Sequence, residues 1–182
     1  MQRIDGEVRI RIDTPLNCDW DESSPIDVEV DIEHRARKAR SHTAAHLLFI
    51  AFQEVLGVDR ECEASGWSVE ADGGRFEIVG KDISGDDLAK LQAIVDEWRA
   101  GEHVIEMSND VANPERRMWH CREFRIPCGG NHVPNTSLVG ELSLRRKKKG
   151  KARTRIYWKI GDPLSTELIE MFGRSVADER RL

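Results

Sequence analysis

The sequence lacks a long hydrophobic run. Its longest nearly uninterrupted apolar stretch, residues 44–52, is far too short for a membrane-spanning helix and contains His46. The first 13 residues alternate charged and apolar side chains without a hydrophobic segment, so we expect no secretory signal. No internal repeat, proline-rich linker or low-complexity tract divides the chain. These absences argue against a membrane protein, a secreted disulfide scaffold and a disordered tail.

Cysteine is also scarce, with only Cys18, Cys62, Cys121 and Cys128 among 182 residues. Without an export signal we expect a reducing, cytoplasmic setting, where a cysteine is a buried thiol or a metal ligand rather than half of a disulfide. Cys18 and Cys62 have no histidine at a useful spacing, so we interpret both as structural.

The charge is unevenly distributed. The net charge of −5, from 28 basic and 33 acidic residues, argues against a general nucleic-acid binder. However, eight of the eleven residues 145–155 are basic, and the segment His34–Arg40 holds four more basic residues. Outside these two blocks, 16 basic residues face 33 acidic ones. Such asymmetry is typical of a phosphate-contacting patch, although a solvated hairpin tip and an exposed helix start would produce the same pattern.

The hydrophobic periodicity predicts an α+β domain with a mainly antiparallel sheet. Strands are expected at the following segments: Gly6–Asp13, Ile26–Ile32, His103–Met107, Glu123–Ile126, Glu141–Leu144 and Thr154–Ile160. A largely buried helix is expected from Ser41, as N-cap, to Leu56, with Gly57 as its stop. A hairpin is expected around Asp72-Gly73-Gly74. Two further helices are expected, one from Ser84 to Gly101 and one from Asp162-Pro163 to about Gly173.

Two pairs of residues have the spacing of metal ligands. His42 and His46 stand four residues apart and would share one face of the helix. Cys128 and His132 flank a segment with two glycines, which would let the backbone turn tightly. Three imidazoles and one thiolate suit Zn²⁺ better than Mg²⁺ or Ca²⁺, so we expect one zinc ion at this set.

Each pair also has a simpler interpretation. The two histidines alone could be a coincidental pair on a helix, and the glycine turn alone could hold a buried thiol. His120 and Cys121 are reserve ligands, although we expect them to be strand residues. His34 and His103 are expected at the surface.

The segments SHTAAHLL at 41–48 and CGGNHVPNT at 128–136 resemble the two signature segments of the editing domain of alanyl-tRNA synthetases. The same domain occurs in free-standing alanyl-tRNA editing proteins and, more distantly, in threonyl-tRNA synthetases. The resemblance covers roughly residues 36–160. It implies a two-layer sandwich over 36–182 behind a short N-terminal β extension over 1–35. It also implies zinc bound by His42, His46, Cys128 and His132, and ATP-independent hydrolysis of a mischarged aminoacyl-tRNA ester in the service of translation fidelity.

The sequence departs from the family at the expected amino-acid pocket. Asn131 stands where the editing proteins usually have threonine, and Pro134-Asn135-Thr136 is closer to the threonyl-type pattern. Residues 61–66 contain no glutamine, where the alanyl family has one lining the pocket. We expect a trans-editing deacylase that removes Ser first, and Gly second, from tRNA for alanine. Ser on tRNA for threonine is the alternative substrate.

Two other classes of function stay open, namely a non-catalytic tRNA-binding module with a structural zinc and a zinc hydrolase of small esters or amides without RNA. Four protein ligands are typical of a closed structural site, so catalysis would need a displaced ligand or a five-coordinate metal. Thr43, Asn131 and Thr136 are expected to bind substrate or orient water, with capping as the alternative. The residues expected to contact tRNA phosphates are Arg145, Arg146, Lys147, Lys148, Lys149, Lys151 and Arg153.

Overall fold

The fold is that of a computed structural model, which describes residues 2–4, 7–9, 29–57 and 64–179. The helices are α1 (Ile32–Leu56), α2 (Gly85–Ala100) and α3 (Thr166–Glu179). The strands are β1 (Gln2–Ile4), β2 (Glu7–Arg9), β3 (Ala64–Glu70), β4 (Gly73–Val79), β5 (Glu106–Asn109), β6 (Arg117–Cys121), β7 (Phe124–Pro127), β8 (Leu142–Lys148) and β9 (Arg153–Ile160). A short 3₁₀ helix, Thr136–Val139, precedes β8. No helix in the described ranges combines the length and apolarity needed to cross a membrane.

The strands form three antiparallel sheets within the described residues. The largest has the order β3-β4-β9-β8, a second has the order β5-β6-β7, and β1 pairs with β2. Helix α1 packs against β3 and β4 on one side and contacts both α2 and α3. Every described strand pair is antiparallel, so the predicted α+β class with a mainly antiparallel sheet is confirmed.

Helix α1 is longer than the sequence predicted, because Asp31 rather than Ser41 is its N-cap. The Asp31 carboxylate accepts a hydrogen bond from the His34 amide at 2.8 Å, which satisfies one of the free amides of the first turn. The strand predicted to end at Ile32 is therefore wrong in its described part, since Ile32 already begins the helix. Residues 26–28 lie outside the described residues. The helix ends at Gly57 in the left-handed conformation, as predicted.

Ser41 lies inside α1, where it joins the helix to the sheet. Its hydroxyl donates to the carbonyl of Gly73 at 2.7 Å and accepts from the Trp158 indole at 3.2 Å. The following turns are almost completely buried, as predicted, and their apolar residues form the centre of the core with Ile78, Ile156 and Trp158.

The predicted hairpin is present, but its turn lies earlier in the chain. Ala71 and Asp72 form the turn, while Gly73 and Gly74 already belong to β4. A side chain at Gly74 would overlap the Trp158 ring and the carbonyl of Ser68. The sequence predicted both glycines in the turn, whereas in the structure they lie in β4, where the absence of a side chain lets Trp158 of β9 approach closely.

The two later helices are also present. Ser84 and Asp87 form the predicted capping box of α2, and Gly101 ends it. Helix α3 begins later than predicted, because the Ser165 hydroxyl accepts from the Leu168 amide. It also continues past Gly173, where it was predicted to end. The strands predicted at 103–107, 123–126, 141–144 and 154–160 correspond to β5, β7, β8 and β9 with shifted bounds.

Candidate metal centre

Four side chains from distant parts of the chain converge on one point. Helix α1 contributes His42 and His46, and the loop after β7 contributes Cys128 and His132. Their possible ligand atoms all lie within 4.8 Å of one another. The Cys128 Sγ atom lies 3.5 Å from His42 Nε2 and 3.3 Å from His132 Nε2. These are the four residues that the sequence predicted as metal ligands.

The loop that carries Cys128 and His132 is tied to its surroundings at both ends. The Cys128 amide donates to the carbonyl of Arg117 at 2.9 Å, which fixes the start of the loop against β6. The Val133 amide donates to the Thr43 hydroxyl at 3.2 Å, which fixes its end against α1. This short, anchored loop therefore holds Cys128 against His42, which is 86 positions away in the sequence, and His132 against Thr43, which is 89 positions away.

Thr43 sets the orientation of the His132 ring. Its hydroxyl hydrogen is donated to the carbonyl of Ala39 at 3.0 Å, so its lone pairs can accept from the Val133 amide and from His132 Nδ1, 3.2 Å away. This arrangement places the ring proton on Nδ1 and leaves the Nε2 lone pair directed toward Cys128 Sγ. An outer hydrogen bond of this kind fixes the tautomer of a metal-ligating histidine.

The backbone of the loop orients His42 in the same way. The His42 ring is hydrogen-bonded to the backbone of Asn131, and this leaves its Nε2 atom facing Cys128 Sγ. A side chain at Gly130 would overlap the His42 ring, whereas a Cβ at Gly129 meets nothing within 4 Å. The second glycine of the turn is therefore needed for close approach to His42, and the first is not.

Burial keeps the three imidazoles neutral. Burial lowers the pKa of His46 to about 3 and that of His132 to about 2, and neighbouring histidines add to both shifts. Burial also lowers the pKa of His42 and raises the pKa of the Cys128 thiol. Neutral imidazoles are the form that binds metal, so no proton needs to leave them first.

The residues fit a zinc ion. Three nitrogen donors and one sulfur donor match the preference of Zn²⁺, and tetrahedral bonds of about 2.0–2.3 Å would separate such ligand atoms by about 3.5 Å. The observed sulfur-to-nitrogen distances of 3.3 and 3.5 Å agree with this spacing. In addition, His46 Nδ1 is buried without a hydrogen-bond partner among the described residues.

Zinc binding to the metal-free protein at pH 7 is expected to release about one proton. The proton comes from the Cys128 thiol, whose raised pKa keeps it protonated at neutral pH, while the lowered pKa values of the histidines leave them already neutral. Calorimetric titration in two buffers with different ionisation enthalpies measures this number. A release of two or more protons would contradict the neutral state of the histidines.

The reserve ligands lie elsewhere. Cys121 is buried in β6, where burial raises the pKa of its thiol to about 11, and it is not part of the cluster. His120 is a strand residue, as expected, and contacts the Ser108 hydroxyl at 2.7 Å. His34 is exposed, as expected, whereas His103 is half-buried, with its ring against Trp98. Cys18 and Cys62 lie outside the described residues.

The residues predicted to bind substrate differ in their exposure. Asn131 is exposed and lines a pocket beside His42. Thr43 and Thr136 are fully buried, and the Thr136 hydroxyl donates to the carbonyl of Trp98 and accepts from the His103 amide. Their direct contact with substrate stays a prediction, while the structure shows both in supporting positions.

Two open pockets meet at the centre. One, of about 230 Å³, is largely apolar and is lined by His42, Ala45, His46, Phe49, Trp67, Phe76, Ile126, Pro127 and Cys128. The other, of about 240 Å³, is lined by Lys38, Ala39, His42, Trp67, Val69 and Asn131. Trp67 is a wall of both pockets, with 63% of its surface exposed and its ring stacked 6.4 Å from His42. Sequence reasoning missed Trp67, because a single tryptophan in a strand does not differ from a core residue in its pattern.

The basic residues do not form one surface. Arg37 pairs with Glu33 and Asp72, and Arg40 is buried with its guanidinium donating to Asp72, so these two members of the segment 34–40 act within the fold. Within the segment 145–155, β8 continues to Lys148 and β9 begins at Arg153, so only residues 149–152 form the tip. The segment predicted as a tip is therefore mostly sheet. The exposed members of the predicted tRNA-binding set are Arg145, Lys147, Lys148, Lys149, Lys151 and Arg153, while Arg146 is half-buried.

Parts of the chain are similar to known proteins. A family profile described as "Threonyl and Alanyl tRNA synthetase second additional domain" matches residues 106–157, which include Cys128 and His132 but not α1. The chain is 29% identical over 136 residues to "Alanyl-tRNA editing protein AlaX-M" of Pyrococcus horikoshii, covering 72% of this chain and 60% of that protein.

The chain also matches part of a longer enzyme. It is 32% identical over 129 residues to "Alanine--tRNA ligase" of Burkholderia mallei and of Burkholderia thailandensis, covering 62% of this chain and 14% of each ligase. It thus spans less than two thirds of the length of the relatives it matches. The comparisons confirm the resemblance predicted from the two motifs: over its matched parts, the chain is similar to alanyl-tRNA synthetases and to a free-standing alanyl-tRNA editing protein.

Proposed function

We propose that this chain is a zinc-dependent trans-editing deacylase that acts in the cytoplasm. It hydrolyses the ester of a small amino acid, Ser first and Gly second, from tRNA for alanine. The observation that carries the proposal is the cluster of His42, His46, Cys128 and His132, which opens onto two small pockets. Similarity to a protein named as an alanyl-tRNA editing protein supports the same reaction.

The size of the pockets suits a small aminoacyl group. The apolar pocket beside His46 and Cys128 has a volume of about 230 Å³, and Phe49 and Phe76 limit it. Asn131, on the polar side of the centre, is the exposed group available to hydrogen-bond a substrate hydroxyl. A site that holds a hydroxyl by hydrogen bonds favours Ser over both Gly and Ala, neither of which carries one, and this preference accounts for Ser as the first substrate.

The roles of the chain's own residues follow from the geometry. His42, His46, Cys128 and His132 would hold the zinc ion, and Thr43 holds the His132 ring in the ligating tautomer. When bound, zinc supplies a Lewis acid that polarises an ester carbonyl and lowers the pKa of water. Trp67 and Phe76 form apolar walls of the pocket against which the aminoacyl group would pack.

Purified, zinc-loaded protein incubated with tRNA for alanine tests the proposal. We expect rapid loss of the ester from Ser-charged tRNA, slower loss from Gly-charged tRNA, and survival of Ala-charged tRNA at the rate of the buffer control. Prior treatment with a chelator removes the activity, and added zinc restores it. Ser-charged tRNA for threonine is the second substrate assayed, because Asn131 and the segment 134–136 are closer to the threonyl-type pattern.

Equal stability of Ser-charged and Ala-charged tRNA in zinc-loaded protein would refute the deacylase. Retained tRNA binding in that case would indicate a non-catalytic binding module with a structural zinc. Hydrolysis of small aminoacyl esters without any preference for tRNA would instead indicate a small-ester hydrolase. The proposed tRNA contacts lie among the exposed basic residues of the segment 145–153.

A further inference from the structure

The large sheet has one face that no described helix covers. Alternate residues of its strands, such as Phe76, Ile156 and Trp158, are buried against the helices. The residues between them point the other way, and we call this surface the outer face. In register across the sheet, its rows include Ser68–Arg75–Tyr157–Arg145, Gly73–Lys159–Ser143 and Glu77–Arg155–Lys147.

The outer face is strongly basic although the protein is acidic. Its cations are Arg75, Arg145, Lys147, Arg153, Arg155 and Lys159, and its acids are Glu70, Glu77 and Asp72, the last of which lines the groove described below and is paired with Arg37 and Arg40. Glu77 is already occupied, since it pairs with Arg155 at 2.5 Å and with Arg153 at 3.6 Å. Arg75, Arg145, Lys147 and Lys159 form no ion pair with a carboxylate in the described ranges.

The face contains a groove, next to the β3–β4 turn, in which one cation is held in position. The groove has a volume of about 660 Å³, and Arg75, Tyr157 and Arg145 lie side by side across it. The Arg145 guanidinium is held over the Tyr157 ring at 4.6 Å, which fixes its position before any ligand binds. Pre-positioned guanidinium groups bind phosphate oxygens with less loss of side-chain entropy than mobile ones.

We propose that the outer face binds the phosphate backbone of tRNA. This inference rests on the tRNA partner proposed above, and it locates that partner on the sheet rather than at the hairpin tip. Charge complementarity argues for RNA as the occupant, because exposed cations without carboxylate partners are concentrated on this face of an acidic protein.

Strand β3 connects this face with the metal centre. It is an edge strand, and its residues alternate between the two surfaces. Ser68 and Glu70 line the outer groove, whereas Trp67 and Val69 line the pocket beside His42. A tRNA bound on the outer face therefore reaches the centre by passing its single-stranded aminoacyl end over the β3 edge.

The same geometry divides the basic segment into two classes. Arg145 and Lys147 point to the outer face, whereas the neighbouring side chains point away from it. Arg146 donates to the carbonyl of Ile83, and Lys148 pairs with Asp82 at 3.7 Å. Arg145 and Lys147 therefore stay among the residues proposed to contact tRNA, whereas Arg146 and Lys148 do not.

Binding of uncharged tRNA for alanine, measured over a range of salt concentrations, tests the inference. The variant Arg75→Ala/Lys159→Ala lies outside the basic segment, and Arg145→Ala/Lys147→Ala lies within it. The charge-matched control is Lys90→Ala/Lys148→Ala, with Lys90 exposed on α2. Each outer-face variant is expected to weaken binding and to lower the slope of log K against log salt by about two, because two phosphate contacts are lost. The control is expected to keep the affinity and slope of the parent.

Equal losses in the outer-face and control variants, or no loss in the outer-face variants, would overturn the inference. This assay requires no hydrolysis, so its result is separate from that of the deacylase test. A protein without deacylase activity whose outer-face variants alone lose tRNA binding would uphold the surface and refute the reaction. Hydrolysis of Ser-charged tRNA at parental efficiency by both outer-face variants would support the reaction and refute the surface.

Discussion

Replacement of Cys128 by alanine is expected to reduce the zinc content from about one ion per chain to none after dialysis. The thiolate is the only sulfur donor and the only anionic ligand in the cluster, so its loss leaves three neutral imidazoles and weakens the hold on zinc. His46→Ala is expected to give the same result, because its ring lies 4.5 Å from that of His132 at the centre of the cluster. Elemental analysis of the dialysed proteins measures this change directly.

The loss of zinc is also expected to appear as a loss of stability. A ligand that binds only the folded state at one hundred times its dissociation constant raises the free energy of unfolding by about 2.7 kcal/mol. Added zinc should therefore raise the urea midpoint of the parent, and should leave that of Cys128→Ala unchanged. If zinc stabilised both proteins equally, the site would lie elsewhere.

Cys121→Ala is the matched control for Cys128→Ala. Each substitution removes one thiol. The Cys121 thiol is buried in β6 outside the cluster, whereas the Cys128 thiol is half-buried within it. The control is expected to keep full zinc occupancy. Full occupancy in Cys128→Ala, with loss in Cys121→Ala, would reverse the assignment and make Cys121 the ligand.

Gly130→Ala is expected to weaken zinc binding by about 10- to 100-fold, which is the usual cost of disturbing the groups that orient metal ligands. The new methyl group would overlap the His42 ring, so the ring must move away from Cys128 Sγ. Competition with a chromophoric chelator measures the zinc affinity. The same variant is expected to lose deacylase activity in parallel with its zinc.

Gly129→Ala is the control, since its added methyl group meets nothing within 4 Å and its backbone lies outside the left-handed region. The two variants make the same chemical change at adjacent positions of one turn. Parental zinc affinity is expected for Gly129→Ala. Similar affinities for both variants would mean that the loop moves to admit a side chain at Gly130, and that the close approach to His42 is dispensable.

Local features of the fold could be read from the sequence. The capping box of α2, the left-handed glycine that ends α1, and the antiparallel hairpin depend on residues within a few positions of one another. The start of α1 could not be predicted in this way, because the alternating segment before it is typical of a strand. Only the Asp31 cap marks the start of the helix. The two glycines after Asp72 favour a turn locally, but the Trp158 ring on another strand determines their position.

The candidate ligands themselves were determined by the sequence, since helical spacing puts His42 and His46 on one face and a glycine turn lets Cys128 and His132 converge. Only the tertiary structure decided that the two pairs meet, that Thr43 supports His132, and that Trp67 borders both pockets. The same is true of the basic segment, whose charges the sequence shows as one block. Strand alternation and sheet register divide the basic segment between two faces of the sheet. Which of these faces the helices cover depends on contacts between distant parts of the chain, so it is decided only in the folded protein.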